Sequence, residues 1–137
     1  GGGGLDDGGG STNMWDFDFD AVPDDPTEIA FAHAKFGRKA QLDGVLANGF
    51  DVHTRNELSR TLAMEAAIND NKNILKLLHS YGADINLQDN LGNTAIHYAC
   101  QYKHDTLANY MTGKLGADDS IENEGGYDCW IWGEMQA

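Results

Sequence analysis

A short motif recurs in this chain at a constant spacing, and this repeat constrains the fold more than any other feature. The segment Thr61–Ala67 (TLAMEAA) recurs 33 residues later as Thr94–Cys100 (TAIHYAC). The segment Leu77–Asp84 is preceded at the same period by Val45–Asp51 and followed, one residue late, by Met111–Asp118. Repeats of about 20 to 50 residues are typical of solenoids, in which stacked units complete each other's core. Because a solenoid offers an extended surface rather than a pocket, the repeat favours a binding function.

The charge of the chain restricts the class of partner. Nine Lys and Arg residues stand against 22 Asp and Glu residues, which gives a formal net charge of −13. Nucleic acids and anionic membranes are bound by clustered basic residues, so the sequence predicts neither as a partner. No apolar run approaches the roughly 20 residues of a membrane span, so we predict no direct membrane insertion. We predict a protein partner with a basic or mixed apolar-basic surface.

The two cysteines and the start of the chain bear on the compartment. Cys100 and Cys129 are the only cysteines, and Cys100 is predicted on the inward side of a helix, where a thiol acts as a small apolar group. Two such thiols indicate an intracellular, reducing compartment. The chain begins with glycines and no Met, from which we expect a processed chain whose targeting peptide has been removed. The chloroplast stroma is one prediction and the cytoplasm is the alternative.

The apolar spacing predicts paired helices separated by loops. The stretch Asp25–Glu28 combines a polar cap, a proline and an acid, which is typical of a helix start, and this first helix is expected to end before Gly37. Further helices are predicted over residues 39–47, 62–69, 74–80, 95–102 and 106–114. Residues 53–60 and 86–93 are polar and are predicted to form hairpin loops.

The segment Asp89–Cys100 (DNLGNTAIHYAC) resembles the ankyrin repeat, whose pattern is D-x-x-G-x-T-P-L-H-x-A-A. Leu62, Ala95 and Cys129 stand where that family prefers proline, and Met64 replaces its usual histidine. The first unit is degenerate, and one extra residue falls in the third unit, within 112–115.

The resemblance implies an all-α solenoid of stacked helix-turn-helix units with hairpin loops, preceded by an irregular acidic tail. Residues 1–26 form the tail, which is rich in Gly and Asp and contains an acidic-aromatic segment. Residues 27–137 form the repeat domain, with units at about 27–55, 56–88, 89–122 and a partial unit at 123–137.

The tail segment Trp15–Val22 (WDFDFDAV) has several interpretations. Alternating aspartates open an EF-hand calcium loop, but Ala21 and Thr27 stand where that loop needs Gly and Glu, so we reject calcium binding. The Asp18-x-Asp20 spacing resembles the nucleophile motif of haloacid-dehalogenase-like phosphatases, yet the long α/β domain of that family does not follow. The segment can also be a linear docking motif or a solvated linker that packs against the first repeat.

His97, Cys100 and His104 lie close enough along the chain to suggest a metal site. A closed zinc site needs a fourth ligand, however, and His97 occupies the position of the family's structural histidine, which hydrogen-bonds loop backbone. We therefore predict no metal, no cofactor and no catalytic residue.

The resemblance implies a protein–protein interaction module that binds through hairpin tips and the exposed side of the inner helices. We predict an adaptor or accessory subunit of a larger assembly, with an organellar photosynthetic complex as one setting. A targeting or assembly chaperone and a phosphatase using the Asp-x-Asp motif are the alternatives. The predicted contact residues are Lys35, Phe36, Glu57, Leu58, Arg60, Ile68, Asn69, Asn90, Leu91, Asn93, Gln101 and Tyr102, together with Trp15, Phe17 and Phe19 of the tail and Trp132, for which a capping role is the alternative.

Overall fold

The computed structural model describes residues 25–136, and this part of the chain is helical and contains no strand. The helices are α1 (Pro26–Lys35), α2 (Lys39–Ala47), α3 (Leu62–Ile68), α4 (Lys72–Ser80), α5 (Ala95–Gln101), α6 (Asp105–Lys114) and α7 (Cys129–Glu134). Helices α1, α3, α5 and α7 pack side by side as an inner layer, and α2, α4 and α6 each pack behind the inner helix of their own unit. The predicted solenoid is confirmed, and its last unit ends after one helix.

The helix bounds follow the predictions closely. Helix α2 has the predicted bounds, whereas α4 begins at Lys72, two residues before the predicted start. The difference arises because the prediction began at the first apolar residue, Ile74. Lys72 and Asn73 are exposed and polar, so the first two residues of α4 carry no apolar signal.

Small residues allow the inner helices to approach closely. Ala66, Ala67 and Ala99 are fully buried between neighbouring units, and Cys100 lies beside them. A Cβ placed on Gly133 of α7 would come within 2.8 Å of the Cys100 carbonyl oxygen, so this position tolerates no side chain. The larger core residues come from both layers, among them Leu62, Met64 and Ile96 of the inner helices and Ile74, Leu75, Leu78 and Met111 of the outer ones. Trp130 packs against this core.

The hairpin turns are closed by the same hydrogen bonds in three units. In each, one side-chain oxygen accepts from the backbone N–H groups two and four residues later, which fixes the turn. The acceptors are Asn56 (from Leu58 and Arg60), Asp89 (from Leu91 and Asn93) and Asn123 (from Gly125 and Tyr127).

Equivalent side chains also tie each hairpin to the next unit. Arg55 Nη1 donates to the carbonyl of Ser59 in its own hairpin at 2.9 Å and to that of Gln88 in the next unit at 2.8 Å. One repeat later, Gln88 Nε2 donates in the same way to Gly92 at 2.8 Å and to Glu122 at 3.1 Å. These bonds set the register between units.

The extra residue of the third unit lengthens its outer helix. Helix α6 has ten residues where α4 has nine. The Ala83 N–H therefore bonds back five residues to Leu78, whereas the Ala117 N–H bonds back six residues to Met111. The insertion lies in the predicted region and leaves the inner layer unchanged.

The first unit departs from the others at its start. Helices α3 and α5 begin after cap residues Thr61 and Thr94, but the equivalent residue of the first unit, Glu28, lies inside α1. Asp25 caps this helix instead, accepting from the Thr27 N–H at 2.9 Å. Helix α1 thus has ten residues where α3 and α5 have seven, and its first turn takes the place of a hairpin.

The close stacking of hairpins makes Gly92 sensitive to substitution. Gly92 and Gly82 both have positive φ, +78° and +83°, so alanine is strained at either position by about 1 kcal/mol. Only at Gly92 would the added Cβ meet backbone, 2.6 Å from the Glu124 nitrogen, because nothing lies within 4 Å of the equivalent atom at Gly82. We expect Gly92→Ala to lower the free energy of unfolding in urea by about 2 kcal/mol more than Gly82→Ala does. Equal losses would show that the hairpins are not packed as described.

Candidate protein-binding surface

Two rows of exposed apolar side chains run along the solenoid. The first row lies at the hairpin tips, where Leu58 is 57% exposed and Leu91, at the equivalent position of the next unit, is 63% exposed. The second lies at the C-terminal ends of the inner helices, where Phe36 is 60% exposed and Tyr102, two units further on, is 45% exposed. Equivalent positions in a solenoid lie in line, so Leu58 is aligned with Leu91 and Phe36 with Tyr102.

Polar residues surround the two rows. Glu57 and Asn90 are exposed beside the leucines at the tips. Lys35 Nζ lies 5.4 Å and the Arg38 guanidinium 5.0 Å from the centre of the Phe36 ring, so two cations flank this aromatic group. Apolar anchors bordered by polar groups are the usual composition of protein interfaces.

The structure corrects the prediction for Asn93, which was expected at the surface. Its side chain is 2% exposed, and its Oδ1 accepts from Asn123 Nδ2 at 3.0 Å. Asn93 therefore joins two hairpins and presents no side chain to a partner. The sequence did not reveal this, because the partner amide belongs to the following unit and is distant along the chain.

Arg60 packs within the surface rather than projecting from it. Its guanidinium lies 5.2 Å from the centre of the Tyr98 ring, and the Tyr98 hydroxyl donates to Asp89. Burial raises the pKa of Tyr98, and the bond to the Asp89 carboxylate acts in the same direction. Tyr98 was not among the predicted contact residues. The sequence did carry one indication that Tyr98 lies near this surface, because Tyr98 falls on a predicted inner helix at the position that Glu65 occupies in the preceding unit.

Gln101 and Trp132 are also joined across units. Trp132 Nε1 donates to Gln101 Oε1 at 3.1 Å, and the Trp132 ring stacks on that of Tyr127 with 6.2 Å between ring centres. Both residues remain partly exposed. These contacts hold Gln101 and Trp132 in place at the C-terminal end of the surface.

The remaining predicted residues have mixed positions. Ile68 is partly buried and packs against the core, while Asn69 Nδ2 donates to the Glu65 carbonyl at 2.9 Å. Trp15, Phe17 and Phe19 lie outside the described residues.

His97 has the structural role that was predicted. Its Nδ1 accepts from the Thr94 N–H at 3.1 Å, and its Nε2 lies 2.9 Å from the Tyr127 carbonyl, so the ring proton is on Nε2. His104 Nε2 in turn contacts the Ile68 carbonyl at 3.0 Å. Within residues 25–136 no three His, Cys, Asp or Glu side chains converge as metal ligands would.

The two thiols lie together in the core, where no described residue pairs with them in a disulfide. Both are buried, and the neighbouring Cys100 thiol together with burial raises the pKa of Cys129. A thiol held in its protonated form is a poor nucleophile, which agrees with a packing role.

No described helix has the length and hydropathy needed to cross a lipid bilayer.

A family model described as ankyrin repeats, in three copies, matches residues 31–123. Protein phosphatase 1 regulatory subunit 27 from Homo sapiens and that from Mus musculus are each 40% identical over 62 residues, which is 45% of this chain and 40% of the relative. An ankyrin repeat protein of Acanthamoeba polyphaga mimivirus is 42% identical over 66 residues, 47% of this chain and 9% of the relative. The matches therefore span less than half the length of these relatives.

The environment of His97 predicts a specific pH dependence of stability. Burial holds the pKa of His97 below its usual range, and the Tyr127 carbonyl offsets this only in part. The unfolded chain therefore binds the proton at a higher pH than the native chain does. It follows that the free energy of unfolding contributed by His97 is fully present above about pH 6.5 and falls as the pH drops toward the lowered pKa.

Substitution by methionine isolates this contribution, because Met64 fills the equivalent position of the second unit and accepts from the Thr61 N–H through its sulfur. We expect His97→Met to flatten the stability curve between about pH 7 and 5, by at most about 1.4 kcal/mol per pH unit. Urea unfolding across this range measures the slopes, and the exposed His79→Gln is the control for removal of an imidazole. An unchanged slope in His97→Met would contradict the assignment.

Proposed function

The chain belongs to the ankyrin-repeat family, and from that premise we propose that it is a non-catalytic adaptor or accessory subunit that binds another protein within a larger assembly. Ankyrin repeats are protein–protein interaction modules. The proposed contact surface consists of the hairpin tips and the inner-helix ends. The observation that carries the proposal is the pair of exposed apolar rows, Leu58 with Leu91 and Phe36 with Tyr102.

These side chains lie outside the buried core, although two cations flank the Phe36 ring and the Tyr102 ring stacks on that of His104. Exposed large side chains are ordinary when scattered singly, but here they recur at equivalent positions of different units. Aromatic and aliphatic groups of this kind supply most of the binding energy when a partner excludes water from them.

The units beneath the rows support binding by a preformed surface. The bonds from Arg55 and Gln88 fix the spacing of consecutive hairpins, so the two leucines are held in place before a partner arrives. A surface that is already ordered loses little entropy on association, which raises affinity.

The net charge and the relatives suggest the kind of partner. A charge of −13 favours a basic or mixed apolar-basic protein surface. Because the human and mouse relatives are named as regulatory subunits of protein phosphatase 1, that phosphatase is the first purified protein to test for binding. The setting in a chloroplast complex stays a prediction, which fractionation of source cells tests.

The apolar rows can be tested by capture of partners with the full chain. We expect Leu91→Ala/Tyr102→Ala to reduce stoichiometric co-purification of the partner by about thirtyfold or more, because truncating an interface anchor costs about 2 kcal/mol. Quantitative mass spectrometry of the co-purified proteins provides the measurement.

Tyr81→Ala is the matched control, since Tyr81 is also an exposed aromatic residue but lies at the end of the outer helix α4. The control should capture the same proteins as the wild-type chain. An unchanged set of captured proteins in the double variant would disprove the proposed surface, and capture only below stoichiometry would favour the chaperone alternative.

A further inference from the structure

An open groove of about 590 Å³ lies at the N-terminal end of the solenoid, between the first turn of α1 and the first hairpin. Its floor is Phe31, which is 8% exposed, and one wall carries the exposed Leu58. Asp25, Glu28 and Glu57 border it with their carboxylates. The groove exists because the first turn of α1 replaces the hairpin that each following unit has.

The third hairpin shows one way in which a neighbouring hairpin uses the polar groups beside such a space. There, Asn123 Nδ2 donates to Asn93 Oδ1 and the Glu124 N–H donates to the Leu91 carbonyl of the preceding hairpin, both at 3.0 Å. The equivalent donors of the first hairpin are Asn56 Nδ2 and the Glu57 N–H. Within residues 25–136 neither has an acceptor, so both are available to carbonyl groups of a segment lying in the groove.

The charge of the groove selects among possible occupants. Among the described residues, Arg55 is the one basic side chain that lines it, and its Nη1 donates to the Ser59 and Gln88 carbonyls. Among residues 25–136, no Lys or Arg forms an ion pair with a carboxylate of the same range, where the ion pairs present are His53–Asp51 and His104–Asp70. The three carboxylates at the groove are therefore not neutralised by these residues.

We propose that this groove binds an extended segment of the partner protein in which a Lys or Arg stands next to an apolar side chain. The backbone carbonyls of the segment accept from Asn56 Nδ2 and the Glu57 N–H, and its apolar side chain contacts Phe31 and Leu58. Its cation pairs with Glu28 and Glu57. This inference rests on the proposed binding function and specifies that the partner presents a basic and apolar segment.

The residues that precede Asp25 are a poorer fit by charge. Residues 1–24 contain six aspartates and no Lys or Arg. Their charge opposes entry into a groove bordered by carboxylates, while the same aspartates add to the negative potential that attracts a basic segment.

The test uses the full chain and a fluorescein-labelled octapeptide of alternating lysine and valine, with the glutamate-valine peptide as its counterpart. Fluorescence anisotropy at about 50 mM salt, where screening is weak, reports binding. We expect Glu28→Gln/Glu57→Gln to weaken binding of the lysine peptide about tenfold, because each exposed ion pair contributes up to about 1 kcal/mol. Both substitutions keep the shape of the side chain, and glutamine can serve in the capping position of Glu28.

Glu122→Gln/Glu134→Gln is the control, because it changes the net charge equally at exposed positions near the other end of the solenoid. It should leave the affinity unchanged. Equal losses in the two double variants would show attraction to the overall charge and overturn the groove. Failure of the lysine peptide to bind, or equal binding of the glutamate peptide, would do the same.

A third variant tests occupancy by the chain's own tail. If Trp15→Ala/Phe17→Ala/Phe19→Ala raises the affinity for the lysine peptide, the tail occupies the groove and the proposal is wrong. The outcome is separate from that of the proposed function. Partner capture that depends on Leu91 and Tyr102 but not on Glu28 and Glu57 would keep the adaptor function and remove only the groove.

Discussion

The close contact between neighbouring inner helices is the constraint on which the rest of this structure depends. A unit of two short helices has too little apolar surface to be stable alone, so its core is completed by the next unit. Ala66, Ala67 and Ala99 make this contact possible, and at Gly133 even a methyl group would collide with Cys100. The requirement explains why the repeated motif is conspicuous in the sequence, because each copy of it lies at such a contact.

Hydrogen bonds between loops of neighbouring units then fix the geometry of the surface. Asn86 Oδ1 accepts from the Asp118 N–H at 2.8 Å, and one repeat earlier His53 Nε2 accepts from the Asp84 N–H at 2.9 Å. Together with the bonds from Arg55 and Gln88, these contacts satisfy loop backbone groups that would otherwise depend on water. The positions of exposed residues such as Leu58 and Leu91 therefore follow from hydrogen bonds between neighbouring loops.

The sequence predicted what depends on local patterns and missed what depends on distant partners. Helix α2 was predicted to the residue, and His97 was assigned to hydrogen bonding with a loop, because both are written in short motifs. The burial of Asn93 depends on Asn123, and no local pattern reports such a pair. The first unit has no hairpin ahead of its inner helix, because that helix begins at the Asp25 cap, the helix start that the sequence predicted. The groove at that end, and with it the role of Glu28, became visible only when the units were compared in three dimensions.

The acidic residues of this chain contribute more to partner association than to stability. A net charge of −13 opposes a compact state, and ion pairs with Lys or Arg would relieve part of that repulsion. Within residues 25–136 the chain forms no such pair, although four basic side chains there lie over or beside aromatic rings. The acidic groups of this range are thus not neutralised by Lys or Arg, and their negative field accelerates encounter with a basic surface more than it strengthens the final complex. The apolar rows have the complementary property, since they act only after contact and slow dissociation. If the chain binds by both means, high salt should lower its association rate constant and leave its dissociation rate constant nearly unchanged.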